Sequence, residues 1–301
     1  LENPNRLKDG YFSLGRRFNL SYNSAREVAK NIKFSIQDQK YISEYKNYIA
    51  EVLKNESLFP PNKTLGEIKE KKLSPYLKGD PKNVLVIGDT HFPFEKTGYL
   101  KFCREQQEKY NCGTIVHIGD LVDNHAVSYH QHDPDGRSPG DEYKLALSKC
   151  KEWYSVFPNV KICIGNHDAL PFRKAFTAGL PKDWLKSYQQ ILESPSTWKW
   201  DFVHEVEGVI YQHGTGLSGE MASINCAREN RQSTVIGHLH TVMNTRFLAS
   251  FKDLIFGVSV GCGLDHEAYA FAYGKENTRK PVVGCSVVLQ GKLPINIPMN
   301  Y

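Results

Sequence analysis

The sequence predicts an α/β (α+β four-layer) fold: two mixed β-sheets packed as a sandwich and flanked by helices, with a small N-terminal α-helical domain. Three observations point there. After Pro81, short β-branched runs alternate with helical stretches, the pattern of βαβ units and a largely parallel sheet. From Val206 onward strand-like runs dominate, which calls for a second sheet against the first. Before Pro81 the texture is helical and the charge differs. The first 80 residues hold 15 Lys and Arg against 10 Asp and Glu, the whole of the net +5, while 81–301 balance. A chain of 301 residues, 40% hydrophobic and 24% charged, has room for one such domain and an appendage, and the composition of a folded protein. We read 1–66 as a basic helical domain, 67–82 as a linker and 83–301 as the main domain.

In the first unit, Leu14, Phe18, Leu20, Ala25, Val28 and Ile32 fall near helical spacing. Leu20–Ser24 interrupts them, and Asn23 or Ser24 would cap the second helix. This outline resembles a DNA-binding helix-turn-helix. The resemblance implies groove contacts from Asn23, Ser24, Arg26, Glu27 and Lys30, and phosphate contacts from Arg16, Arg17 and Lys33. An ordinary helical hairpin accounts for the same pattern. A further helix runs over 37–54, and Pro60-Pro61 ends the unit. In the main domain strands are expected at 84–87, 114–118 and 161–164, with helices at 99–110 and 141–157 between them. Further strands are expected at 206–212, 233–237, 243–250, 254–260 and 281–289. Met221-Ala222-Ser223 reads as a dimer contact or a plain helix, which leaves a homodimer open.

No apolar run approaches the ~20 residues of a membrane span, and the polar start Leu1–Gly10 lacks the core of a signal peptide. The seven cysteines are odd in number and form no C-x-x-C pair, which points to a reducing, cytoplasmic setting.

Five strand ends carry metal-type ligands. Asp89 and His91 follow the first strand, Asp120 and Asp123 the second, and Asn166, His167 and Asp168 the third. His213, and then His238 and His240, follow two later strands. Ligands in open α/β sheets bind beyond the carboxyl ends of strands, so these side chains are expected to converge. Mixed oxygen and imidazole donors suit Mn, Fe, Zn or Ni.

D-x-H, GDxxD, GNHD, a later His and GHxH, in this order over 83–290, resemble the calcineurin-like metallophosphoesterase superfamily. The resemblance implies two divalent ions, most simply Mn. Asp89, His91 and His240 would hold one and Asn166, His213 and His238 the other, with Asp120 bridging both. A bridging hydroxide would attack phosphorus and His167 would protonate the leaving oxygen. Asp123 and Asp168 would orient ligands by hydrogen bonding, although Asp168 reads equally as a helix cap. His117 and His204 read as core residues, and His125 as an exposed loop residue. His130 and His132 would line the cleft. Gly261–His266 could shape the site rim but reads more simply as a turn, and Tyr269, Phe271 and Tyr273 read as core or interface aromatics that could also stack bases.

The superfamily includes protein phosphatases, cyclic nucleotide phosphodiesterases, nucleotidases and the nucleases of double-strand-break repair. Asp168 as the fourth residue of GNHD, the basic arm and the helix-turn-helix outline lean toward DNA. Against this, the capping region and ATPase attachment of the repair nucleases are not evident before Tyr301. The general resemblance is to small metallophosphoesterases of bacteriophages, for which the setting would be the host cytoplasm. The leading expectation is a DNA endonuclease or nickase, the alternative a protein or small-molecule phosphomonoesterase. A DNA-binding protein with a vestigial site is a third reading, disfavoured by the intact ligand set.

Overall fold

The computed structural model describes residues 79–129, 136–265, 267–268 and 278–299. The helices expected over 12–32 and 37–54, with Arg16, Arg17, Arg26, Lys30 and Lys33, lie outside the described residues. So do most of the 67–82 segment, His130, His132, His266, Tyr269, Phe271 and Tyr273.

The first half is β1 (Asp80–Ile87), α1 (Tyr99–Lys109), β2 (Cys112–His117), α2 (Pro139–Val156) and β3 (Val160–Cys163). It continues through α3 (Leu170–Thr177), α4 (Tyr188–Ile191) and β4 (Trp198–Asp201). The second half is β5 (Val203–Val206), β6 (Val209–Gln212), α5 (Ala222–Asn230), β7 (Thr234–Ile236), β8 (Met243–Ala249) and β9 (Leu254–Val260). It closes with β10 (Gly284–Leu289) and β11 (Leu293–Pro298).

One sheet has the order β11-β10-β1-β2-β3-β4, parallel from β1 to β4 and antiparallel at β10 and β11. The other has the order β5-β6-β7-β9-β8, parallel only across β6, β7 and β9. Both sheets are mixed, as the alternating and then β-rich halves predict.

Period-two alternation in β1 builds the layers. Val84 and Val86 face the second sheet and join Val116, Tyr211, Val235, Val258 and Val260 in the sandwich core. Leu85 and Ile87 face the other way, toward Tyr99, Cys103, Cys150 and Trp153 on α1 and α2. On the far side of the second sheet, Ala222 and Cys226 of α5 cover Ile236. The result is helix, sheet, sheet, helix.

Several boundaries differ from expectation. β1 starts at Asp80, inside the segment read as linker, because Asp80 pairs with Cys112 before an irregularity that ends at Val84. The expected strand 206–212 is the hairpin β5–β6, turning at Glu207 and Gly208, both at positive φ. Two such residues make the tight turn that suits strand twist, and Glu in the first place hides it. β4, β11 and α4 had no counterpart in the sequence reading, and α3 had only the helix that a cap at Asp168 implies. Pro294 and Pro298 mark β11 as an edge strand, where proline is tolerated. Met221-Ala222-Ser223 opens α5, with Ala222 and Ser223 buried. All seven cysteines are buried and free. No helix among the described residues is long and apolar enough to cross a membrane.

Candidate metal centre

The loops after β1, β2, β3, β6 and β7 meet at one edge of the sandwich and bring all seven expected ligand residues together. Asp89, His91, Asp120 and His240 offer ligand atoms within 4.8 Å of one another. Asp120, His213 and His238 do the same, so Asp120 is common to both groups. Asn166 joins the second group, its Oδ1 lying 2.9 Å from His213 Nε2.

Backbone geometry makes this convergence possible. His91, Asp120 and His238 sit at φ 50°, 49° and 68°, a region most side chains avoid. The Asp120 carbonyl accepts from the backbone N–H of Thr90 and His91, which ties the first two loops. Two glycines leave room for carboxylates. A Cβ at Gly165 would overlap Asp120 Oδ1, and one at Gly237 would overlap Asp89 Oδ1.

Hydrogen bonds assign the imidazole protons. His213 Nδ1 is 3.1 Å from the Ile118 carbonyl, which can only accept, so Nδ1 carries the hydrogen. Its Nε2 then faces Asn166 Oδ1 and, at 3.1 Å, Asp120 Oδ2. His91 Nδ1 donates to Asp123 Oδ1 at 2.6 Å, and its Nε2 lies 3.0 Å from His240 Nε2. His240 Nε2 is in turn 3.2 Å from Asp89 Oδ2. In His213 and His91 the far nitrogen is anchored and the near one faces the cluster of ligand atoms, the arrangement by which proteins prepare a histidine for a cation.

Asp89 Oδ1 is buried and accepts no hydrogen bond. A buried carboxylate oxygen without a donor is costly, and a cation satisfies it. The donor set and this orphaned oxygen fit divalent ions.

The electrostatics agree. Burial opposes ionisation of Asp120, yet the surrounding imidazoles, His213 first, hold it well below the usual carboxylate range. Burial alone would depress His213, but Asp120 and Asp89 raise it to about 9. His238 is pulled down to about 4 by burial and by the charge of His213.

His167 is half-buried at the rim. Its backbone N–H donates to Asp120 Oδ1 at 2.8 Å, and its Nδ1 lies 2.7 Å from the Asp123 carbonyl. Burial works against its proton, but Asp120 and Asp123 outweigh burial and raise it to about 10. Asp123 thus touches both His91 and His167.

Asp168 departs from both expectations. It neither caps α3, whose N-cap is Ala169, nor bonds a ligand side chain. One oxygen accepts from Leu121 and Val122 N–H, at 3.0 and 3.2 Å, and the other from Gly165 N–H at 2.9 Å. It positions the Asp120 and Asn166 loops through their backbones. Burial and the charge of Asp120 lift it to about 7.

Three further described histidines are structural or peripheral. His117 is fully buried, as expected of a core residue. His204 is half-buried and reaches the Ile162 carbonyl at 3.0 Å. His125 is not exposed but half-buried, 4.0 Å from Asp123 Oδ2. Gly261–Leu264 does more than turn. Cys262 bridges to Asp89 and Val283, and Gly263 N–H donates to the Asp89 carbonyl at 2.7 Å.

Two contributors escaped sequence reasoning. Asn124 Nδ2 donates to the His167 carbonyl at 2.9 Å. Buried Glu142, on α2, accepts from His125 and Ala126 N–H at 2.6 and 3.0 Å. Asn124 at φ 52° follows a ligand motif and was findable as a left-handed turn residue. Glu142 lies 17 residues from its partner on a helix face and leaves no local signal.

Residues 82–254 match the family model described as calcineurin-like phosphoesterase. No curated protein matches the sequence. Among solved structures, vacuolar protein sorting 29 from Cryptosporidium parvum is 14% identical with a TM-score of 0.36, over 69% of this chain and 84% of that one. The phosphoesterase YfcE of E. coli is 14% identical with a TM-score of 0.33, over 68% and 87%. The nuclease MPE of Pseudomonas putida is 15% identical with a TM-score of 0.31, over 62% and 75%.

Proposed function

Because the chain belongs to the calcineurin-like phosphoesterase family, we propose that it hydrolyses phosphodiester bonds of DNA as a two-metal endonuclease or nickase. The observation that carries the hydrolase reading is Asp120, shared between two buried groups of histidine and carboxylate ligands. Asp89, His91 and His240 would hold one ion and Asn166, His213 and His238 the other. Divalent ions so held, with Mn the first to try, supply Lewis acidity and a water acidified to near neutrality.

The chain's own residues do the rest. Asp123 fixes His91 and also His167, at the rim. His167 Nδ1 donates to the Asp123 carbonyl, which leaves Nε2 as the nitrogen to protonate the departing sugar oxygen. Asp168 and Asn124 hold the loops in place. Three sequence features favour DNA: Asp168 in GNHD, the basic excess of the first 80 residues, and the helix-turn-helix outline with Arg16, Arg17, Arg26, Lys30 and Lys33.

The test is a time course on supercoiled plasmid with Mn, beside an aryl phosphate monoester and diester. Open circles that disappear at ~0.2 M salt are expected, since phosphate contacts weaken steeply with salt. His167→Ala should bind metal yet lose about 100-fold or more of the cleavage rate. Intact plasmid with fast monoester turnover would assign the protein to the phosphomonoesterases instead.

A further inference from the structure

Tyr129 stands 56% exposed, six residues beyond Asp123 in the segment that follows β2. Two adjacent cations of α3 lean on its ring: Lys174 Nζ is 3.8 Å from the centroid and Arg173 Cζ is 5.5 Å away. Among the described residues, no carboxylate pairs with either cation. A ring quadrupole attracts a cation but neutralises no charge, so two like charges remain side by side. Among the described residues nothing supplies the anion that would balance them.

Its place is set by the metal centre. The Tyr129 loop and the start of α3 are stitched together by Asn124 to the His167 carbonyl and by His167 to the Asp123 carbonyl. Arg173 is six residues beyond His167.

We infer that Tyr129, Arg173 and Lys174 form a subsite for the nucleic-acid strand flanking the scissile phosphate. Arg173 and Lys174 take backbone phosphates, and the exposed part of the Tyr129 ring takes a base by stacking. This rests on the DNA reading above and adds to it a place for the flanking strand. A small phosphate ester reaches the metal centre without using the subsite. A polynucleotide spans both.

The experiment compares kcat/KM for a labelled duplex and for an aryl phosphodiester, with a salt series on the duplex. Removing both cations (R173A with K174A) should raise KM for the duplex about tenfold at ~0.1 M salt and make the salt slope shallower by about two. Y129A should lose about tenfold on the duplex and Y129F much less, since the ring and not the hydroxyl stacks. Each loss on the aryl diester should be several-fold smaller. Lys101→Ala, an exposed lysine on α1, controls for lost charge.

Duplex kinetics and salt slope equal to wild type would overturn the subsite while leaving the DNA reading intact. Losses in equal proportion on both substrates would also overturn it, by making these residues supports of the metal loops. A wild type that hydrolyses the aryl diester and never cuts DNA would defeat the DNA reading, and the subsite with it.

Discussion

Asp123 and Gly165 show how little tolerance the centre has at the residue scale. Asp123 donates nothing to the ligand set directly, yet it fixes the proton of His91 and touches His167. Asp123→Asn keeps the shape and removes the charge. Metal affinity or turnover should fall about 10–100-fold, read by calorimetric metal titration and by kinetics on an aryl diester. A change under twofold in both would show that His91 needs no carboxylate. Gly165 works by absence. Its missing side chain is the space that Asp120 Oδ1 occupies. Gly165→Ala should therefore displace the residue common to both ligand groups and abolish metal uptake, with a far-UV spectrum close to wild type. The ligands themselves were legible residue by residue, because each stands just past a β-branched run with a glycine beside it. The roles of Asp168 and Glu142 were not. Both act on backbone N–H groups of distant loops, and no spacing in the sequence announces such a partner.

At the scale of elements, the strands that end in the centre are held by packing behind them. Tyr99, the first residue of α1, is completely buried. Its hydroxyl donates to the Gly284 carbonyl at 2.8 Å and accepts from Gly88 N–H at 3.1 Å. One side chain thus joins α1, the end of β1 and the start of β10. Tyr99→Phe leaves a buried donor and a buried acceptor unsatisfied, a cost of about 1–3 kcal/mol. Denaturant unfolding should show that loss with little change in m-value. A loss below about 0.5 kcal/mol would mean that water replaces the hydroxyl. Elements of this kind were readable where periodicity ran long, as in α1, α2, β8 and β9. They were hidden where the element was short or atypical. The Glu207-Gly208 turn lacks the usual Asn or Asp, and β11 carries two prolines. Order across the sheets was unreadable for a different reason. β10 is about two hundred residues from β1, and register at that distance is set by the assembled core.

For the molecule as a whole, the density of titratable groups at one edge makes folding depend on pH, and His117 sets part of the acid limb. Its Nδ1 accepts from Gly119 N–H at 3.3 Å. Its Nε2 lies 3.1 Å from Thr90 Oγ1, which donates onward to the Leu121 carbonyl. A neutral ring satisfies this chain, whereas a second ring proton would meet the Gly119 N–H. Burial, with the nearby charges of His213 and His91, holds His117 down to about 3 in the folded protein. The unfolded chain takes up the same proton near 6.5. Between these values the unfolded state binds more protons, so stability is lost as pH falls through that window. His213 and His167 act in the opposite window. Raised to about 9 and about 10, they stabilise the metal-free fold below 6.5 and lose that contribution as pH rises. The metal-free protein should therefore be most stable near neutrality. Taken to a pH about two units into the acid window, it should lose on the order of 2–3 kcal/mol through His117. His117→Gln removes this titration while retaining a polar side chain. Urea unfolding at neutral and acid pH should show a shallower acid loss in H117Q than in wild type. Parallel acid limbs for the two proteins would place the acid sensitivity in the ligand histidines, and would make His117 an ordinary part of the core.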